Sequence, residues 1–469
     1  MPSTQTLLLV FAGTVASAAA AVDLSWRPPS ASAVSNLTQV LNGPGVPTIF
    51  NSSKTSFKDY GIYNYCNMPH VRAREYPFAN DTYELKYVEI IHRHHKRTPY
   101  QSNTFPVENI AWQCSDTKTF YYADKKSGDE IATPSYWVMY TDPANPLNTT
   151  GYIGSNCQFP QITADGLEDA LEHGRDLFKV YGDKLDFLRD DSVKNEVIFR
   201  VTSNVITSQV AGAIIQGMFP DAETVPLYQQ PSAVDSLQPQ YSCSYADNIR
   251  SAYQGTNANW TAHLNATVNL FAKLDAISGV NPKDSGWHSW FDHYFDALSS
   301  RKCHGKPLPC SITNSSNCIT EADAQEVFRL GLYEYSYIFR DAPNSLEYVR
   351  TKYGLFFVEL VSHIRAAIAK SSPIKYRHNV AHDGSISPLL GFLQVDQMVW
   401  PGMGAEVAFE LFKNKKTNGY VVRVLWGGKV LRSSNLGPID MIPADDFIGY
   451  VEGLTGVNGS YIVQKCVSS

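Results

Sequence analysis

Apolar positions take on a strand-like pattern at residues 85–91, Leu85-Lys86-Tyr87-Val88-Glu89-Ile90-Ile91, where alternation passes into a run suited to a buried strand. The character then reverses. His92-Arg93-His94-His95-Lys96-Arg97 are six consecutive basic or imidazole residues, and Pro99 after them is well placed as the first residue of a helix. Helical spacing begins near Thr163, with Leu167, Leu171, Gly174, Leu177, Phe178 and Tyr181 behind an acidic first turn. A strand at 196–202 and a helix at about 207–218 follow. Strand, helix, strand, helix is the order that parallel strands with crossovers produce.

From about 222 to 350 the pattern holds helical segments separated by Gly, Asn and Pro, among them 287–299 and 319–339, and no strand-like run. Thr320 with Asp323 makes a start resembling a capping box. A long helix is predicted over 346–369, then a strand over 374–381 that stops at His382-Asp383-Gly384, then a helix starting with Pro388-Leu389-Leu390. Residues 405–432 read as a meander that turns at Asn418-Gly419 and Gly427-Gly428. The pattern predicts an α/β fold: a mostly parallel central sheet flanked by helices, with an inserted all-helical cap domain. The expected divisions are a signal peptide at 1–21, an extended N-terminal arm at 22–83, an α/β catalytic domain formed by 84–221 and 350–469, and the cap at 222–349.

Composition narrows the picture. A chain of 469 residues with 12% aromatics can bury a large core, and a net charge of −6 argues against nucleic acid as a partner. Residues 6–22 are small and apolar and end in an alanine-rich stretch, as a secretory leader does, and no second run of spanning length follows. The expectation is a secreted, extracellular chain with no membrane contact after cleavage. Eight cysteines, an even number at irregular spacing, fit disulfides rather than a zinc cluster. Cys243 with Cys466, and a local link within Cys303, Cys310 and Cys318, are the expected pairings. Eight N-x-S/T sites, at Asn36, Asn51, Asn80, Asn148, Asn259, Asn265, Asn314 and Asn458, predict N-linked glycans.

The basic turn is then a local device. Stacked cations at a strand end suit an anion, and guanidinium forks match phosphate oxygens two at a time while keeping their charge at every working pH. A neutral imidazole between Arg93 and Arg97 can attack phosphorus, and a carboxyl group can protonate the leaving alcohol. His382 and Asp383, ending a separate strand, offer a further donor and an acid. His92, His94 and His95 also fit the His-x-His pattern of metal ligands, but the adjacent arginines would repel a cation. A solvated basic loop is the plain alternative, and His382-Asp383 weighs against it. His173, His263, His288, His293 and His363 are expected on helix faces or in satisfied polar contacts.

Arg93-His94-x-x-Arg97-x-Pro99, with His382-Asp383 and Pro388-Leu389-Leu390-Gly391 far downstream, resembles the histidine phosphatase branch that holds histidine acid phosphatases and phytases. The resemblance runs from about residue 84 onward through Gln161-Ile162-Thr163, Arg200 to Pro220 and Glu410-Leu411. It implies that His94 is the nucleophile, Asp383 the proton donor, and Arg93, Arg97 and His382 the phosphate ligands, with no metal or other cofactor. The substrate is expected to be a phosphate monoester, with phytate one possibility. Two departures stand out. The family usually has Gly where this chain has His95, and a further phosphate-binding Arg where this chain has Ile206. Loss of one preorganised donor costs on the order of 10²- to 10³-fold in rate. Lys96 and His95 are the candidates to replace it, and the alternative is a phosphatase-like protein that binds an anion or partner with weak or no turnover.

Overall fold

The computed structural model describes residues 22–30, 33–43, 62–107, 110–119, 135–142, 144–147 and 154–467. The leader expected at 1–21 and the glycosylation sites Asn51 and Asn148 lie outside them. Among the described residues no helix is long and apolar enough to cross a membrane.

Strand β1 is Tyr83–Arg93. Val88 and Ile90 fall in one apolar cluster, Tyr87 and Ile91 in the other, so the strand separates two cores by alternation. Strands β2 (Val197–Val201), β3 (Leu227–Tyr228) and β4 (Tyr376–Ala381) join it in the parallel order β1, β4, β2, β3. On its other edge β1 pairs antiparallel with β5 (Glu406–Asn414), which pairs with β6 (Tyr420–Trp426) and its partner β7 (Lys429–Val430). The expected meander is this antiparallel part, and Asn418 takes the left-handed conformation its turn requires, φ 60°. The whole is an α/β fold with a central sheet flanked by helices, and its parallel part ends at the residues of interest.

Helix α1 (Leu37–Asn42) belongs to the N-terminal segment; α2 (Ala164–Phe178) and α3 (Val205–Met218) cover the sheet face that bears Val88 and Ile90. These two helices touch closely because each offers a glycine: a Cβ at Gly174 would lie 2.3 Å from the Ile214 carbonyl oxygen, and one at Gly217 equally close to that of Leu171. The opposite core takes α4 (Ser244–Tyr253), α5 (Ala258–Ala266), α6 (Val268–Ser278), α7 (Ser285–His288), α8 (Asp292–Cys303), α9 (Glu321–Ser336), α10 (Ser345–Lys352), α11 (Leu355–Ala369) and α12 (Asp383–Phe392). Thr320 and Asp323 do form the capping box of α9. Helix α13 (Ala444–Thr455) packs on β6 and α11.

Several expectations shift. The short β3 pairs with β2 inside the segment expected to be purely helical. The helix expected over 287–299 is two, because the Phe291 amide donates to the Glu334 carboxylate at 2.9 Å instead of continuing a helix. The helix expected over 346–369 breaks at Gly354, where a Cβ would lie 2.3 Å from the Arg350 carbonyl oxygen. Pro99 starts no helix; a single 3-10 turn, Gln101–Asn103, follows, since the Tyr100 amide and Asn103 amide group are drawn to Asp296 at 3.1 and 2.8 Å. The downstream helix begins at Asp383 rather than at Pro388, with the His382 amide donating to Ser385 Oγ across its first turn at 3.4 Å. The described cysteines pair as Cys243–Cys466 and Cys310–Cys318, as expected, together with Cys66–Cys303 and Cys114–Cys157.

Candidate functional site

Parallel β1, β4 and β2 end side by side, Arg93 opposite Ala381 and Val201 opposite Val380. The residues that follow them therefore meet at one edge of the sheet, where open α/β sheets gather ligands. The turn after β1 is pinned on both sides: the His94 amide donates to Ala381 O at 3.0 Å and the Gly404 amide to His94 O at 3.1 Å. Although nearly three hundred residues separate them in the chain, Arg93 Nη2 lies 3.1 Å from Asp383 Oδ2, and the rings of His94 and His382 have centroids 5.5 Å apart.

His94 is almost wholly buried. Its Nδ1 lies 2.9 Å from the His95 carbonyl oxygen, which can only accept, so Nδ1 carries the proton and Nε2 keeps its lone pair. Burial first, then the charges of Arg97 and Arg93, hold this imidazole well below the usual histidine range. Arg97 Nε stands 3.5 Å from His94 Nε2, while Arg97 Nη1 donates to Thr98 O at 2.9 Å and pairs with Asp296 Oδ1 at 3.1 Å. Arg93 is held by Tyr65 OH at 3.0 Å and Pro401 O at 2.6 Å as well as by Asp383.

His382 Nε2 faces Thr202 Oγ1, at the end of β2, at 2.9 Å, and burial brings its pKa down to about 4. Asp383 is the first residue of α12 and sits at that helix's positive end. Burial pushes its carboxyl up, but the Arg93 guanidinium, the Trp400 indole N–H donating to Oδ2 at 2.6 Å, Arg97 and the Gly384 amide more than offset this, so it lies below the ordinary aspartate value. Trp400 is clamped between Phe295 and Tyr335, ring centroids 4.0 and 3.7 Å away.

Lys96 and His95 are placed elsewhere, which corrects their reading as substitutes for the absent arginine. Lys96 Nζ pairs with buried Asp169 of α2 at 2.8 Å. His95 turns to the opposite side of the turn from His94, into a group of imidazoles with His92 and His173. Ile206 is fully buried in the apolar cluster beneath α3, so no donor replaces the family's arginine at that position. Of the other histidines, His263, His288, His293 and His363 each meet a carboxylate, from Glu334, Asp275, Asp292 and Glu89, and His173 meets Glu406.

Asp296, Trp400, Tyr65 and Thr202 were not legible as site residues. Asp296 lies mid-helix, Trp400 in a loop and Tyr65 in the N-terminal segment, with no spacing that links them to the basic turn. Asp296 changes the electrostatics most. Arg93 and Arg97 are matched one for one by Asp383 and Asp296, with His94 and His382 neutral, so the fixed charges of the pocket cancel.

The model of the histidine phosphatase superfamily (branch 2) matches residues 84–426. Counting factor 60 of Dictyostelium discoideum is 23% identical over 404 residues, covering 82% of this chain and 88% of that protein. The 2-phosphoxylose phosphatase 1 of Danio rerio is 23% identical over 418 residues, 79% and 77% of the two chains, and lysophosphatidic acid phosphatase type 6 of Bos taurus is 20% identical over 391, 81% and 85%. In fold the chain is similar to the phytase of Hafnia alvei, with a TM-score of 0.52 at 13% identity over 81% of this chain and 99% of the other. The phytase of D. castellii gives 0.51 at 14%, over 90% and 93%. The chain belongs to branch 2 of the histidine phosphatase superfamily.

Proposed function

We propose that this chain is a secreted acid phosphatase that hydrolyses phosphate monoesters through a phosphohistidine. His94 Nε2 attacks phosphorus as the ester P–O bond breaks, and Asp383 gives its proton to the leaving oxygen. Water then attacks the phosphohistidine, returns a proton to Asp383 and releases inorganic phosphate. Arg93, Arg97 and His382 hold the phosphoryl oxygens. The observation that carries this reading is the His94 lone pair, fixed on Nε2 by the Nδ1–H bond to His95 O and flanked by Arg97 Nε at 3.5 Å.

Acid pH suits the site for two reasons. A monoester carries mostly one charge below a pKa of about 6, and once Asp383 is protonated the two arginines and Asp296 leave one positive charge to meet it. Asp383, moreover, must carry a proton to act as an acid, and its neighbours oppose that. The helical segment 222–349 would cap the pocket, with Asp296 as its contact to Arg97. Secretion is supported by the 1–21 leader, the four disulfides, and exposed sequon residues at Asn36, Asn80, Asn259, Asn265, Asn314 and Asn458. Buried Ile206 and the charge balance favour a second reading, an anion-binding member of the family with slow turnover.

Release of phosphate from an aryl phosphate between about pH 3 and 7, where Asp and His titrate, tests the first reading. It should be abolished by His94→Ala, and quenching in alkaline denaturant should trap a base-stable phosphoprotein that acid then hydrolyses. Correctly folded protein that releases no phosphate overturns it in favour of the second.

A further inference from the structure

Behind the turn, on the side away from Arg93 and His94, lies a second set of imidazoles to which the phosphatase reading gives no task. One ring nitrogen from each of His92, His95 and His173 lies within 4.8 Å of the other two, and all three residues are buried. Their partners fix two of the tautomers. His92 Nδ1 donates to the Arg93 carbonyl oxygen at 2.8 Å, so its Nε2 carries a lone pair, which has no hydrogen-bond partner among the described residues. His173 Nε2 donates to Glu406 Oε2 at 2.8 Å, which leaves the lone pair on Nδ1, facing His95 Nε2 at 3.3 Å. Glu406 is itself held by the Val71 amide at 3.0 Å. His95 Nδ1 has no partner among the described residues either.

Two buried lone pairs thus converge beside a third imidazole that can satisfy only one of them. Buried polar atoms are normally paired, and the group that would serve several lone pairs at once is a cation. Each supporting contact is of the kind that orients metal-bound imidazole: a carboxylate behind His173 and a backbone carbonyl behind His92. The walls are close. His70 stacks on His173 at 4.0 Å, His378 lies 4.8 Å from His92, and Gly404 faces His95 where a Cβ would come within 2.7 Å of Nε2. The repulsion expected of the neighbouring arginines is weakened here, because alternation at the strand end sends Arg93 to the other face, against Tyr65 and Asp383, and Arg97 is paired with Asp296.

We propose that His92, His95 and His173 form a structural site for a divalent first-row ion of the Zn²⁺ class, held by three neutral imidazoles with Glu406 as the nearby counter-charge. Ligand distances of about 2.0–2.1 Å require the three nitrogens, within 4.8 Å of one another here, to draw together when the ion binds. The ion would brace the backbone that carries His94, since His92 bonds to Arg93 O and His94 to His95 O. It takes no part in the chemistry. Being closed from solvent, the site would load as the chain folds.

The test is elemental analysis of the full-length secreted protein, expressed in medium supplemented with Zn²⁺ or with Co²⁺ and then dialysed against a chelator. About one ion per chain is expected, as for a closed structural site, and the Co²⁺ form should show the intense visible bands of low-coordinate cobalt. His94→Ala should retain the ion while losing turnover, which separates this site from the catalytic reading. His173→Gln and His92→Gln should each lose it. Metal-free wild-type protein with an unaltered unfolding midpoint and no visible cobalt bands would overturn the proposal whether or not the variants fold. So would an ion whose spectrum is unchanged by His173→Gln.

Discussion

Replacing Trp400 by Phe isolates the control of Asp383. The indole N–H donates to Asp383 Oδ2 at 2.6 Å, a bond that exists for the carboxylate and is lost when that oxygen is protonated. Phenylalanine keeps an aromatic ring between Phe295 and Tyr335, so the packing that positions the loop is largely retained. A hydrogen bond to a charged group contributes about 1.5–3 kcal/mol, and each pKa unit corresponds to about 1.4 kcal/mol, so the carboxyl should rise by roughly one to two units. If Asp383 is the general acid, the alkaline limb of kcat against pH moves up by that amount, because the protonated form persists to higher pH. The assay is steady-state hydrolysis of an aryl phosphate across the acid and neutral range in both proteins. A uniform fall in rate with the limb unmoved, or a limb displaced toward acid, would refute the link from the indole to the proton donor.

Ile206→Arg should restore a phosphoryl ligand and raise kcat/KM, by up to the order of 10²-fold if its guanidinium reaches the pocket. The same change gives up the burial of Ile206, about 1.5–3 kcal/mol, so the unfolding midpoint should fall in the absence of phosphate; an unchanged or lower rate would count against matching this position to the family's arginine. Asp296→Asn removes the counter-charge of Arg97, and inorganic phosphate should then inhibit at least about tenfold more tightly while the ligand-free protein loses stability. Equal inhibition in the two proteins would show that Asp296 does not oppose the anion. His382 binds its proton more weakly folded, pKa about 4, than unfolded, near 6.5; its share of stability is complete above about pH 6.5 and is lost as pH falls through 4. The difference is about 3 kcal/mol, so denaturant unfolding of His382→Asn should show a shallower loss between those limits, and identical slopes would exclude this contribution.

The strand and helix pattern was readable in the chain wherever one face of an element meets the core, as at β1, α2, α3 and β4. Breaks inside helices were not. The ends of α7 and α10 depend on Glu334 reaching the Phe291 amide and on the contact at Gly354, both tertiary facts. Arg93, His94, Arg97, His382 and Asp383 could be picked out because strand ends concentrate unlike residues against an apolar background. Lys96 and His95 were misread because a run of basic residues does not say which side chain faces which way. Asp296 and Trp400 stayed hidden because each joins the pocket from a separate element whose own pattern is ordinary.

The Cys66–Cys303 bridge has a reach beyond its two sulfurs. Cys66 follows Tyr65, which holds Arg93, and Cys303 ends the helix whose Asp296 holds Arg97. One covalent tie, spanning 237 positions of the chain, therefore sets the separation between the supports of both guanidinium groups. The gauge between the two guanidinium supports is welded in place, and thermal breathing of the helical layer cannot widen it without straining that weld.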